Sequence, residues 1–186
     1  FFAGFRYNSI RMIVGLEEPM LLELRKILAN PGASVPFETS LDLRDMAFGS
    51  CRPVTEAVLA KGQVRNTAGV MELTGEVTTT LHAVCDRCTT AFTRAVRFPF
   101  EAVLVSDEVT DSYENPWVFE LVDGCADLDD IVTTAFVLNM PSQLLCRPDC
   151  KGLCFRCGAN LNLGPCDCKP EPDPRFAALQ QLLDKM

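Results

Sequence analysis

The spacing of apolar and polar residues changes several times along this chain, and each change marks an element. Met20-Leu-Leu-Glu-Leu-Arg-Lys-Ile-Leu28 carries apolar positions at helical spacing, and Asn30-Pro31-Gly32 supplies the turn chemistry that ends a helix. Residues 35–43 alternate loosely as an edge strand does, with Pro36 near the start, where a missing amide hydrogen is tolerated. Residues 53–66 and 70–85 read as two strands joined around Thr67-Ala68-Gly69. In the second, Val77, Thr79, Leu81 and Ala83 share one face while Glu76, Thr78, Thr80 and His82 share the other. After Cys88 the chain returns with Phe92, Val96, Phe98, Phe100, Ala102 and Leu104 on one parity, which predicts a long antiparallel hairpin with Cys85 and Cys88 at its tip. Residues 117–122 form a further strand. Leu128, Ile131, Val132, Ala135, Phe136 and Leu138 repeat at helical spacing behind Asp127, a fitting N-cap, and Pro141 stops that helix. Asp173-Pro174 opens a last helix with Phe176, Leu179, Leu182 and Leu183 on one face.

These periods predict an α+β fold: an antiparallel β-sheet with a long hairpin and few flanking helices, followed by a C-terminal Cys-rich module. Residues 1–19 form an N-terminal extension, 20–145 the core with a first knuckle, and 146–186 the cysteine-rich module and last helix. In the extension Arg6 and Arg11 follow the patch Phe1, Phe2 and Phe5, the reverse of a secretory signal. No apolar run reaches membrane-spanning length.

Cysteine usage adds chemistry to this outline. Six of the ten cysteines fall between Cys146 and Cys168, and Cys85-Asp-Arg-Cys88 is the one comparable feature elsewhere. A Cys-x-x-Cys turn aims two sulfurs at one point, and zinc takes four such ligands in a tetrahedron. Eight thiols are enough for two structural Zn2+ ions. A disulfide framework is the alternative, but 186 residues with 48% hydrophobic content can build a core without staples. Loop closure favours grouping Cys154, Cys157, Cys166 and Cys168, which leaves Cys85, Cys88, Cys146 and Cys150 as the other set. The crossed pairing roughly doubles the smaller loop, at about 0.6 kcal/mol, so both remain open. Cys51 and Cys125 are left over as small, partly buried residues.

Charge is uneven along the chain. The net value is -8 with a pI near 4.7, which argues against bulk affinity for nucleic acid. Residues 98–146 contain no Lys or Arg but ten acids: Glu101, Asp107, Glu108, Asp111, Glu114, Glu120, Asp123, Asp127, Asp129 and Asp130. Such a strip is either a solvated loop or a surface for basic partners such as ribosomal proteins.

Several separate motifs, in order, carry a resemblance. Residues 20–37, Gly62-Gln-Val-Arg-Asn-Thr-Ala-Gly69, Val84-Cys-Asp-Arg-Cys88, Leu138-Asn-Met-Pro141, the run from Cys146 to Cys168, and Asp173-Pro-Arg-Phe-Ala-Ala-Leu179 resemble the YceD family, large ribosomal RNA subunit accumulation proteins of bacteria and chloroplasts. The likeness covers nearly all of the chain from Met20 onward. It implies support of large-subunit (23S) rRNA accumulation or processing, with that RNA or its precursor, or ribosomal and assembly proteins, as partners. It also implies a place in the bacterial cytoplasm, or in the chloroplast stroma of a plant or alga. Some relatives lack the last four cysteines yet keep counterparts of Cys85, Cys88, Cys146 and Cys150, in agreement with the uncrossed pairing. Phe155 stands where the family commonly has Pro.

Three function classes follow. The first is a non-enzymatic ribosome-assembly factor whose RNA-contact candidates are Arg65, Arg87, Arg94, Arg97, Arg147, Lys151 and Arg156, in or flanking the knuckle tips; the bland reading is that they offset thiolate charge. A neighbouring version is a zinc-knuckle adaptor for protein or nucleic acid. The second is a zinc enzyme, which needs an open coordination position and usually His or carboxylate ligands, whereas the single histidine, His82, reads as a surface strand residue. The third is a thiol redox protein, but neither Cys-x-x-Cys opens a predicted helix, where a thiolate would be stabilised.

Overall fold

The computed structural model describes residues 20–49, 51–106 and 115–168. Within these, strands β1 (Leu21–Glu23), β2 (Ser34–Leu41), β3 (Val58–Thr67), β4 (Val70–Val84), β5 (Ala91–Val105), β6 (Val118–Glu120) and β7 (Cys125–Asp127) are joined by two helices, α1 (Arg25–Leu28) and α2 (Leu128–Asn139). Five strands form one sheet in the order β2-β3-β4-β5-β6, and β1 pairs with β7 in a small second ladder. The last predicted helix, over Asp173 to Leu183, lies outside the described residues, as do Asp107, Glu108, Asp111 and Glu114 of the acidic strip.

Period-two patterning decides which face of the main sheet is dry. Val58, Ala60 and Val64 of β3, Met71, Leu73, Val77, Leu81 and Ala83 of β4, and Phe100, Ala102 and Leu104 of β5 are all buried on one side. Helix α2 covers that side through Leu128, Ile131, Val132, Ala135 and Phe136, spaced at intervals of three and four. Phe136 is fully buried, with edge-on contacts to Phe48 at 5.7 Å and Phe98 at 6.1 Å between ring centroids. Asp127 caps the helix by accepting from the amides of Asp129 and Asp130, and these two acids complement the helix dipole in the first turn. Three acids of the strip thus have a helix-terminal role. Met140 turns to extended backbone before Pro141, which ends the helix.

One expectation is corrected by a pairing partner that the local pattern does not reveal. Residues 20–28, expected as one helix, split into strand β1 and a single turn, α1. Residues 125–127 offer β1 a ladder partner, and Leu24 and Ile27 are then the buried anchors of the turn. Short apolar runs fit either period, and a partner decides between them. The expected antiparallel sheet with its long hairpin is present in β2–β5, and β6 adds a short parallel strand beside β5.

One buried polar residue ties these parts together. Asn66, near the end of β3, donates to the carbonyls of Ile27 and Leu28 at 2.7 and 3.0 Å and accepts from the amide of Gly69 at 2.8 Å. It therefore satisfies the end of α1 and shapes the β3–β4 turn at once.

Candidate metal centres

The long β4–β5 hairpin does for two cysteines what its length predicts. Fourteen residues of β4 pair with β5, from Met71 opposite Leu104 to Val84 opposite Ala91, and the tip beyond them holds Cys85 and Cys88. The turn is closed by the Thr89 amide donating to the Cys85 carbonyl at 2.9 Å and the Cys85 amide donating to the Thr90 carbonyl at 2.9 Å. The second knuckle repeats this construction. Gly158 donates to the Cys154 carbonyl at 2.9 Å, and the Cys154 amide donates to Ala159 at 2.8 Å. In both, the residue after the second cysteine lies in the left-handed region, Thr89 at φ 55° and Gly158 at φ 72°.

The sulfurs converge in two groups. Cys85, Cys88, Cys146 and Cys150 lie with their sulfurs within 4.8 Å of one another, and so do Cys154, Cys157, Cys166 and Cys168. A tetrahedron with zinc–sulfur bonds near 2.3 Å has edges of about 3.8 Å. The Cys85–Cys150 and Cys88–Cys146 sulfur separations are 3.8 and 3.6 Å, so the first group already has the size of a zinc site. Both groups are compatible with zinc and consist of thiols alone.

Electrostatics within the groups is polarised in the same sense. Burial pushes the Cys85 thiol up, but the backbone amides of Cys146, Arg87 and Cys88 outweigh it and bring the thiol down to about 6. Cys154 is also lowered to about 6, chiefly by the amides of Cys157 and Arg156. Burial, followed by its neighbouring sulfurs, pushes Cys146 up to about 12. Cys168 is pushed up to about 12 by Cys157 first and then by burial. Amide donors aimed at sulfur, and sulfurs crowded enough to repel one another's charge, are what a divalent cation would complete.

The chain from Leu144 to Cys150 reaches the hairpin tip through side chains between and beside the first pair of cysteines. Asp86 accepts from the Leu144 amide at 2.6 Å through its carboxylate, and its own amide donates to the Leu144 carbonyl at 2.9 Å. Arg87 donates to the Cys150 carbonyl at 3.2 Å. Arg94 stands on the inward parity of β5, stacks on Phe92 at 5.2 Å, and donates to the carbonyls of Leu145 and Cys146 at 2.6 and 3.2 Å.

The sequence profile of the family described as "Large ribosomal RNA subunit accumulation protein YceD" matches residues 73–183, a span that contains all eight of these cysteines. The chain belongs to the YceD family. Among its relatives, uncharacterized proteins of Mycobacterium bovis and Mycobacterium tuberculosis are each 32% identical over 180 residues, covering 89% of this chain and 82% of theirs. The maize protein "Large ribosomal RNA subunit accumulation protein YCED homolog 1, chloroplastic" is 28% identical over 143 residues, 61% of this chain and 49% of its own. No solved structure matches.

In this YceD-family chain the predicted RNA contacts separate into groups. Arg87 and Arg94 hold carbonyls of the first cluster's chain, and Arg147 donates to Asn162 at 2.7 Å and pairs with Asp149 at 3.5 Å. Arg97 pairs with Glu76 at 3.3 Å on the outer sheet face. Arg156 lies over the ring of Phe155, which is 91% exposed. His82 is exposed, with Nδ1 3.3 Å from the Thr93 hydroxyl. Cys51 and Cys125 are half-buried and lie 3.2 and 3.9 Å from the Phe48 and Asp123 carbonyls. Sequence reasoning missed Asp86, Asn160 and Asn162, which connect the clusters to their surroundings. A polar residue inside Cys-x-x-Cys and two asparagines between cysteine pairs were the available signals, but neither names a partner.

No helix among the described residues is long and apolar enough to cross a membrane.

Proposed function

We propose that this chain is a non-enzymatic factor supporting accumulation or processing of large-subunit (23S) rRNA, with two structural zinc ions. One ion is held by Cys85, Cys88, Cys146 and Cys150, the other by Cys154, Cys157, Cys166 and Cys168. The observation that carries this reading is membership of a family described by large-subunit rRNA accumulation, through a segment that includes both clusters. All-thiolate donor sets are those of structural zinc sites, whose metal contributes directly to folding. The zinc ions fix the hairpin tip to the chain after α2 and shape the exposed second knuckle.

RNA contact at the knuckles falls on Lys151 and Arg156 rather than on Arg87, Arg94 and Arg147, whose side chains hold the clusters together; Arg65 stands opposite Glu72, at the end of β4 remote from Cys85, and would be a separate contact. Stacking of Arg156 on the exposed Phe155 offers a cationic, flat surface of the kind that receives an unpaired base. Cells depleted of the protein are expected to lose 23S relative to 16S rRNA, with recovery from the wild-type chain but not from Cys85→Ser. The protein is expected to co-sediment with large-subunit precursors. An unchanged rRNA ratio together with absence from precursor particles rejects the proposal. At the level of contacts, Arg156→Ala should reduce the salt slope of RNA affinity by about one.

A second reading, a zinc-knuckle adaptor for another protein, is favoured by the exposure of two large apolar residues, Phe155 at 91% and Leu163 at 89%. Association with the precursor that survives extensive RNase digestion distinguishes it.

A further inference from the structure

The two clusters meet at Asn162. This residue belongs to the loop between the two cysteine pairs of the second cluster, yet its side chain serves the first. Its Nδ2 donates to Cys150 Sγ at 3.3 Å, while its Oδ1 accepts from the Lys151 amide at 2.8 Å and from Arg147 at 2.7 Å. Asn160 of the same loop accepts from the Asn162 amide at 3.0 Å and donates to the Thr90 hydroxyl at 3.3 Å; that hydroxyl in turn lies 3.3 Å from Cys88 Sγ. The loop is further tied to the chain between the clusters, because the Leu161 amide donates to the Gly152 carbonyl at 3.0 Å. Gly152 sits at φ 76° against the Arg87 carbonyl, where a Cβ would come to 3.1 Å. One loop of the second cluster thus reaches two sulfurs of the first, one directly and one through Thr90.

We propose that Asn162 is a positioning residue that couples the two metal sites, so that zinc in the second cluster strengthens zinc binding in the first. The inference rests on reading both clusters as zinc sites. Closing the second cluster pins Cys157 and Cys166 at the two ends of the loop and so restricts where Asn162 can be. A restrained amide donor offsets the negative charge that four thiolates leave around a divalent ion, and partners of this kind typically change metal affinity about 10–100-fold. Coupling of binding free energies is reciprocal, so the first site strengthens the second by the same factor.

The test is zinc competition against a chromophoric chelator of known affinity, using the full chain, Asn162→Ala, Asn162→Asp, Cys166→Ser with Cys168→Ser, and Asn162→Ala combined with that pair. Disabling the second cluster is expected to weaken the first site by about tenfold or more. Asn162→Ala should cause a similar loss while the second cluster is loaded and add little once that cluster is disabled. Asn162→Asp keeps the acceptor for Arg147 and Lys151 but replaces the donor to Cys150 with a charge. It should therefore weaken the first site more than Ala does, whereas a purely structural anchor would tolerate Asp better than Ala. Two zinc ions binding with affinities indifferent to each other and to these changes would overturn the coupling and leave the zinc reading intact. Absence of zinc from both clusters would overturn both.

Discussion

Thr89 carries the clearest conformational strain among the described residues of the metal-site region. The knuckle needs a left-handed residue directly after its second cysteine, and the second knuckle meets that need with Gly158. The first uses Thr89, an exposed β-branched residue at φ 55°. An L-residue in this region costs roughly 1–2 kcal/mol, partly offset because glycine would lose more backbone entropy on folding. Thr89→Gly is therefore expected to stabilise the zinc-loaded protein by about 0.5–1 kcal/mol, raising its Tm by about 2 °C in a thermal melt. A lower melting temperature would mean that the Thr89 side chain contributes something its exposure does not suggest. Asn66 shows the complementary case, in which one side chain stabilises the structure through two bonds to distant backbone, and Asp86 joins its carboxylate and its own amide to one remote residue, Leu144. Their partners lie up to 58 positions away, so their identity as polar residues was visible in the sequence while their roles were not.

Among the elements, the long strands were legible and the short ones were not. Strands β4 and β5 alternate over many residues, with Thr79 and Arg94 as polar exceptions on the inward parity, and a register error of one would expose most of the apolar face, so pattern fixes them. Strands β1 and β7 have three residues each, too few to establish a period, and exist because they pair with each other. The parallel run of β6 depends on the path of a connection, which composition does not encode. Pattern also hides why two glycines stand on the dry face. Phe37, Gly62, Gly75 and Phe100 lie opposite one another in a row across β2, β3, β4 and β5. A Cβ on Gly75 would come within 2.8 Å of the Phe100 ring, and one on Gly62 would meet the Thr74 carbonyl, with the Phe37 ring at 2.8 Å. A ring can shift, whereas backbone cannot without disturbing the ladder. Gly62→Ala is therefore expected to cost about 3 kcal/mol and Gly75→Ala about 1–2 kcal/mol, read from urea unfolding midpoints of the zinc-loaded proteins. Equal effects would show that the sheet relaxes around both.

At the scale of the whole molecule, the fold brings two remote segments to one tip. From the residues themselves the grouping of the cysteines was accessible as a small loop-closure preference, because spacing says nothing about where a hairpin carries its end; the family resemblance added agreement. Once gathered, the thiols are unequal, and that inequality sets a pH dependence. Cys85 and Cys154, lowered to about 6, are largely ionised at neutral pH, whereas Cys146 and Cys168, pushed up to about 12, keep their protons. Ligation requires thiolate, so zinc must displace at least the protons on Cys146 and Cys168. Calorimetric titration of the metal-free protein at pH 7.5, in buffers of different ionisation enthalpy, is expected to report release of at least one proton per zinc bound. As pH falls, affinity should decline, and the decline should steepen below about 6 as Cys85 and Cys154 take up protons that zinc must also expel. In the metal-free chain, the lowered pair stabilises the fold fully above the ordinary thiol value of 9.0 and loses that contribution as pH falls towards 6. The raised pair acts in the opposite sense, disfavouring the fold as pH climbs from 9.0 towards 12. Metal-free stability should therefore peak near pH 9, and zinc should move that maximum towards neutrality by holding all four thiolates of each cluster. A metal-free unfolding midpoint that stays flat from pH 6 to 9 would show that the amide donors at Cys85 and Cys154 do not select the thiolate.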